Sequence, residues 1–250
     1  MDRALSVRVA CLRGRTSDRT PGAGAGAQAL ALTLDGRVVG EPGQPGVRDW
    51  SEDLPAARPV LEAARRELEA AWAEGTFPVL TASDCTICMA TLPAVVEREP
   101  EAHVAWLDAH GDFNTPDTTP SGFLGGMCLA AACGRWDAEG WPGTVDPERV
   151  HLLGARDLDP GEQREAEAAG LRAEPPEGVP VYVHLDTDVL DPSVMGAQFA
   201  VPGGWSLERL GAQLAEIAAT CTVLGLEVTA LEDAAVAPRV AEAIAPLLPS

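Results

Sequence analysis

The chain has 250 residues, is 46% apolar, and carries a formal charge of −20 from 38 acidic and 18 basic side chains. That length and composition suit one globular domain over residues 1–250 with room for a full core, and they argue against nucleic-acid and membrane partners, whose negative charge the chain would repel. All the basic residues are Arg, which excludes lysine Schiff-base and P-loop chemistry.

The first twenty residues show no signal-peptide core or cleavage site, and no run of 18 apolar residues occurs. A cytoplasmic protein is therefore expected, with Cys11, Cys85, Cys88, Cys128, Cys133 and Cys221 reduced. Residues 20–27 (TPGAGAGA) read as a mobile loop. Residues 54–74 place Val60, Leu61, Ala64, Leu68, Ala71 and Trp72 on one helical face, and Gly75 ends that helix. Apolar runs at 78–81, 103–108, 150–154, 181–185 and 223–228 read as buried parallel strands, because they lack alternation. Helical patterns at 87–99, 122–133, 161–169, 206–219 and 236–248 separate most of them. The expected architecture is an α/β fold with a mostly parallel sheet and helices on both faces. In such a sheet, ligands bind beyond the carboxyl ends of the strands.

Two strand ends carry unusual residues: Asp108-Ala109-His110-Gly111-Asp112, and His184-Leu185-Asp186-Thr187-Asp188 followed by Asp191-Pro192. Alternate residues of a strand face one way, so Asp108, His110 and Asp112 can converge, as can Asp186 and Asp188. Carboxylates so crowded repel one another unless cations neutralise them. Carboxylate oxygen with imidazole suits Mn²⁺ and related ions, and bridging carboxylates suit a two-metal site that generates hydroxide at neutral pH. A lone D-x-D is common at strand ends. Two such motifs in one chain are far more specific.

These motifs resemble the signatures of the ureohydrolase family of arginases, agmatinases and their relatives, and the resemblance runs from about Pro78 to the C-terminus. It implies a three-layer α/β/α sandwich and a binuclear manganese centre. On that pattern Asp108 and Asp186 bridge two Mn²⁺ ions, His110 and Asp188 bind one, and Asp112 binds the other and holds the bridging hydroxide. Cys85 stands where the family has a histidine, as in N-hydroxyarginine hydrolases of antibiotic pathways. A thiolate there is a competent ligand that favours softer ions.

Cys85 and Cys88 also spell C-x-x-C, without the usual residues of a redox motif, and Cys88 reads as a small buried residue. His184 reads either as outer support for a bridging carboxylate or as a polar core residue.

Asn114, Thr119 and Ser121 match the family loop that grips a substrate α-carboxylate, and Asp159 matches the contact to the α-amino group. Turn chemistry uses the same residue types, but the matching order and spacing favour recognition of an amino acid over an amine without a carboxylate. Gly125 replaces a family histidine and Ala230 a family glutamate that anchors the guanidinium. Glu232, two residues on, shares the face of Ala230 in an extended strand and could take over as anchor, whereas Glu227 points away. Residues 171–180 are too few for a strand plus crossover helix, so one family helix is expected to be missing.

The implied activity is hydrolysis of a C–N bond in a guanidino or N-hydroxyguanidino amino acid, with Asp112, His110 and Glu232 as catalytic residues. The alternative is a catalytically silent relative that binds an amino acid or a partner. A homo-oligomer is a family expectation only.

Overall fold

The computed structural model describes residues 6–249. Seven strands form one sheet, in the order β2-β1-β3-β7-β6-β4-β5, and every pairing is parallel. They are β1 (Val7–Leu12), β2 (Arg37–Val39), β3 (Phe77–Thr81), β4 (His103–Leu107), β5 (Val150–Leu153), β6 (Pro180–Asp186) and β7 (Thr222–Thr229). The helices are α1 (Gly22–Thr33), α2 (Trp50–Ala73), α3 (Cys88–Arg98), α4 (Cys128–Ala132), α5 (Pro160–Ala169), α6 (Leu207–Thr220) and α7 (Ala237–Ile244).

Both faces of the sheet are covered. One apolar cluster joins α2, α3 and α4 to the sheet through Leu61, Leu68, Leu92, Leu129, Val104 and Trp106. The other joins α1, α6 and α7 through Leu30, Leu210, Leu214, Val240, Val183 and Leu226. A parallel sheet covered on both faces needs strands without polar alternation, and this is why the five apolar runs were readable. The fold is a three-layer α/β/α sandwich. Between α5 and β6 the chain makes only an isolated bridge from Arg172 to His151, and no helix.

The amino-terminal part differs from expectation. Residues 20–27 are not a mobile loop: most of them belong to α1, which packs against the sheet. Their smallness is what lets the helix approach. A Cβ on Gly26 would fall on the carbonyl oxygen of Leu231, and one on Gly22 would meet the Glu232 carboxylate. The helix is thus seated on residues 231–232, at the end of β7. The loop before it is tied down by Arg15, whose Nε lies 2.9 Å and Nη2 2.6 Å from Asp53 of α2, a pair that is almost wholly buried.

Two substitutions separate helix propensity from this close packing. Gly24 has open space around it, so Gly24→Ala should stabilise the protein by up to about 1 kcal/mol. Gly26→Ala should instead destabilise it by about 1–3 kcal/mol, since the added methyl meets backbone. Urea unfolding of both variants checks this. Equal stabilisation would mean that α1 is not seated against Leu231.

Candidate metal centre

Register brings the two motifs side by side. Leu107 pairs with Leu185, Leu185 with Val228 and Asp186 with Thr229, so β4, β6 and β7 end level with one another. Asp108 follows the end of β4 and accepts hydrogen bonds from His110 N at 2.7 Å and Trp106 Nε1 at 3.0 Å. Asp186 closes β6 and accepts from Asp188 N at 2.7 Å. Asp188 accepts from Ala109 N at 3.2 Å, which ties one motif to the other. Cys85 comes from the turn after β3, with its Sγ donating to Asp186 Oδ2 at 2.9 Å.

The donor atoms fall into two triads that share Asp108. Cys85, Asp108 and His184 offer ligand atoms all within 4.8 Å of one another, and so do Asp108, His110 and Asp188. The His110 ring lies 3.4 Å from Asp108 and 3.1 Å from Asp188. Asp112 belongs to neither triad. Its backbone is left-handed, with φ 48°, and its carboxylate reaches 3.8 Å from the Cys128 thiol. Asp adopts that conformation more readily than most residues, and it turns the carboxylate towards the shared space.

The electrostatics fit bound cations. Burial and then Asp188 push Asp186 up to about 7. Burial and then Asp108 hold both Asp112 and Asp188 above the usual carboxylate range. The Cys85 thiol is raised by burial and by Asp186, Asp112 and Asp108. Burial lowers the His110 pKa, but the carboxylates of Asp108 and Asp188 outweigh that and carry it to about 12. The carboxyl and thiol shifts come from burial first and from neighbouring negative charge second, and the His110 shift from its two carboxylate partners against burial. These oxygen, nitrogen and sulfur donors could hold divalent cations, which would offset that charge.

Cys85, His110, Asp112, Asp186 and Asp188 line a cleft of about 260 Å³, and Asp108 and His184 are buried behind them. Asn114, Ser121 and Asp159 line its wall, and Asn114 Nδ2 donates to Asp159 Oδ2 at 3.0 Å. Thr119 does not line the cleft; its hydroxyl accepts from Gly122 N at 3.1 Å. Gly125 and Ala230 are on the wall. Glu232 lines it too, although the chain does not stay extended to reach it. The strand stops at Thr229 and Ala230 takes φ 56°. Thr20 donates to both Glu232 oxygens, at 2.7 and 2.6 Å.

Other contributors were not singled out from sequence. Glu162 lines the cleft and forms a capping box with Asp159 at the start of α5, a pattern visible as Asp159-Pro160-Gly161-Glu162. Burial raises its pKa to about 7. Asp84 caps the turn that holds Cys85 and accepts from Thr16, Ser17 and Thr86. Phe123 and Phe199 stand at the rim, 5.0 Å apart, with the Arg19 guanidinium over both rings. Arg156 bonds to the carbonyls of Gly154, Asp188, Val189 and Val201, pinning the segment that carries Phe199. Long-range partners such as these leave no local pattern.

An α/β fold with a carboxylate-rich centre beyond its strand ends defines a class of metal-dependent hydrolases, and comparison narrows it. The arginase-family model matches residues 47–243. The N(omega)-hydroxy-L-arginine amidinohydrolase of Streptomyces lavendulae is 37% identical over 94% of this chain and 92% of that protein. Among solved structures, arginase of Entamoeba histolytica in complex with L-ornithine superposes with TM-score 0.83 at 20% identity, covering 99% of both chains. Bacillus subtilis arginase gives TM-score 0.81 at 23% identity, covering 97% of this chain and 98% of that one. The chain belongs to the arginase family, whose enzymes are binuclear metal hydrolases, and it is itself a hydrolytic enzyme. Among the described residues no helix is long and apolar enough to cross a membrane.

The crowded carboxyls make stability depend on pH and on metal. Asp186 and Glu162 hold their protons to about 7 in the fold, against ordinary values of 3.8 and 4.5. The native state therefore binds more protons than the unfolded one, and its stability falls as pH rises from about 4 to about 7. The raised pKa of His110 extends the fall above its ordinary 6.5. Chelated protein should melt at steadily lower temperature from about pH 5 to about pH 8, and saturating divalent metal should raise Tm more at pH 8 than at pH 6. A flat profile without metal would contradict the charge crowding.

Proposed function

We propose that this enzyme hydrolyses an N-hydroxyguanidino amino acid of the N-omega-hydroxy-L-arginine type, releasing an ornithine-like amine and hydroxyurea. The observation that carries the reading is the match along 94% of the chain to the Streptomyces lavendulae amidinohydrolase, with both carboxylate motifs intact. We assign Cys85, Asp108, His110, Asp112, Asp186 and Asp188 as the residues that hold two divalent cations, Mn²⁺ first among candidates. When bound, the cations acidify a water molecule and neutralise the carboxylates around it.

The remaining work falls to the chain. Asp112 accepts a hydrogen bond from the attacking water and so orients its lone pair towards the guanidino carbon. Water adds to that carbon, the bond to the side-chain nitrogen breaks, and the proton released from water ends on the departing amine. Asp159 pairs with the substrate α-ammonium, with Glu162 beside it, while Asn114 and Ser121 donate to the α-carboxylate. Thr119 supports their loop by bonding to Gly122 N.

Glu232, held by Thr20, faces the distal end of the substrate in the absence of a carboxylate at Ala230. A hydroxylated guanidine is less basic than a guanidine and depends less on such an anchor. The same reading takes residues 1–250 as one catalytic unit, cytoplasmic and of antibiotic-type biosynthetic use, in a homo-oligomer.

The test is release of hydroxyurea from N-hydroxy-L-arginine and of urea from L-arginine by Mn²⁺-loaded protein. The hydroxylated substrate should be strongly preferred. Asp186→Ala should lower kcat/KM by more than about 100-fold, beyond what loss of an outer partner of a metal ligand costs. Asp159→Asn should raise KM by about tenfold or more, as expected for one charge-assisted hydrogen bond. Preference for L-arginine, or an unimpaired Asp186→Ala, would overturn the proposal.

A further inference from the structure

His184 is fully buried in β6, two residues before Asp186. Its ring lies flat on the Trp106 indole, with centroids 3.5 Å apart and planes within 2°, so it has no room to turn. Its Nδ1 is 2.6 Å from Glu227 Oε1. Glu227 is also fully buried, and its other oxygen accepts from Thr91 at 2.7 Å and Tyr182 at 3.2 Å. A carboxylate so placed takes the proton-bearing nitrogen of the ring, which leaves a lone pair on Nε2.

Nε2 has one neighbour of note, the Thr229 hydroxyl, at 3.5 Å, the outer limit of a hydrogen bond. That hydroxyl lies 3.1 Å from Cys85 Sγ. The imidazole thus presents a buried, weakly engaged lone pair to the side on which Cys85 and Asp108 converge. Metal-binding histidines are held in this manner, with the distal N–H donated to a carboxylate that fixes tautomer and ring.

We propose that His184 is a metal ligand: together with Cys85 and Asp108 it holds the ion on the Cys85 side of the centre, with Glu227 as the support of its ring. The proposal rests on the two-ion reading above and adds to it a nitrogen donor drawn from the body of the β6 strand. A thiolate, an imidazole and a carboxylate form a donor set suited to zinc-like and cobalt-like ions, whereas the Asp108–His110–Asp188 side is harder and suits Mn²⁺. The two positions of the centre are therefore chemically unlike, and the Cys85 side selects the more thiophilic ion.

Metal-free protein titrated with Co²⁺ tests this by absorbance and by metal content, without reference to turnover. The wild type should bind two ions per chain, one of which gives a thiolate-to-cobalt charge-transfer band. His184→Gln should weaken the band-giving ion by about 100-fold or more and leave the other in place. Glu227→Gln should weaken it about 10–100-fold.

If the variants fold poorly, wild-type protein labelled with ¹⁵N-histidine and loaded with ¹¹³Cd²⁺ gives an independent answer. Two of the four histidines, His110 and His184, should show coupling to cadmium. An unchanged band and affinity in His184→Gln, or coupling to His110 alone, would overturn the proposal. Two ions bound without a thiolate band would overturn it while leaving the two-ion reading standing. No bound ion would overturn both.

Discussion

Mutual repulsion among four aspartates, sunk at the ends of two neighbouring strands, is the constraint around which the rest of the molecule is arranged. Asp108, Asp112, Asp186 and Asp188 are each less than a tenth exposed, so water does little to screen them. The chain answers first with local donors, such as the His110 and Asp188 amides, the Trp106 indole and the Cys85 thiol. These orient the oxygens without cancelling their charge. Retained protons on Asp186 and His110 offset part of that charge, bound cations would offset the rest, and a doubly covered parallel sheet holds the strand ends together.

Much of the fold could be read from the sequence because a parallel sheet buried on both faces writes itself as short apolar runs, and β3 to β7 follow that pattern. The first two strands do not. Val7–Leu12 carries Arg8 within it, and Arg37–Val39 is only three residues long and largely exposed. Residues 20–27 misled for a different reason. Gly and Ala in alternation have the composition of a linker, but here smallness serves close contact with residues 231–232. Tertiary packing overrode local composition.

Asp108, His110, Asp186 and Asp188 stand out in the sequence because each motif is local, with spacings of two. What surrounds them does not. Trp106, His184 and Glu227 are register partners on three adjacent strands, so their stack and hydrogen bond exist only once β4, β6 and β7 are aligned. Glu232 was identified through an extended-strand argument that fails at Ala230, where the backbone turns left-handed. It reaches the cleft by a different route, and the Thr20 hydroxyl that holds it lies in the bend just before α1.

That last contact has a bearing on how the molecule comes into being. Thr20 and Glu232 are separated by 212 positions, and Ser17 reaches Asp84 across 67. Closing loops of this span has an entropic cost that grows with length and is recovered only when both ends have a surface to dock on. The carboxylate floor, built from β4 and β6, draws its ligands from a shorter stretch of chain than the wall that faces the substrate. The carboxylate floor is thus complete within residues 85–188, whereas the wall needs residues 18–23 and 230–232, from opposite ends of the chain, to meet.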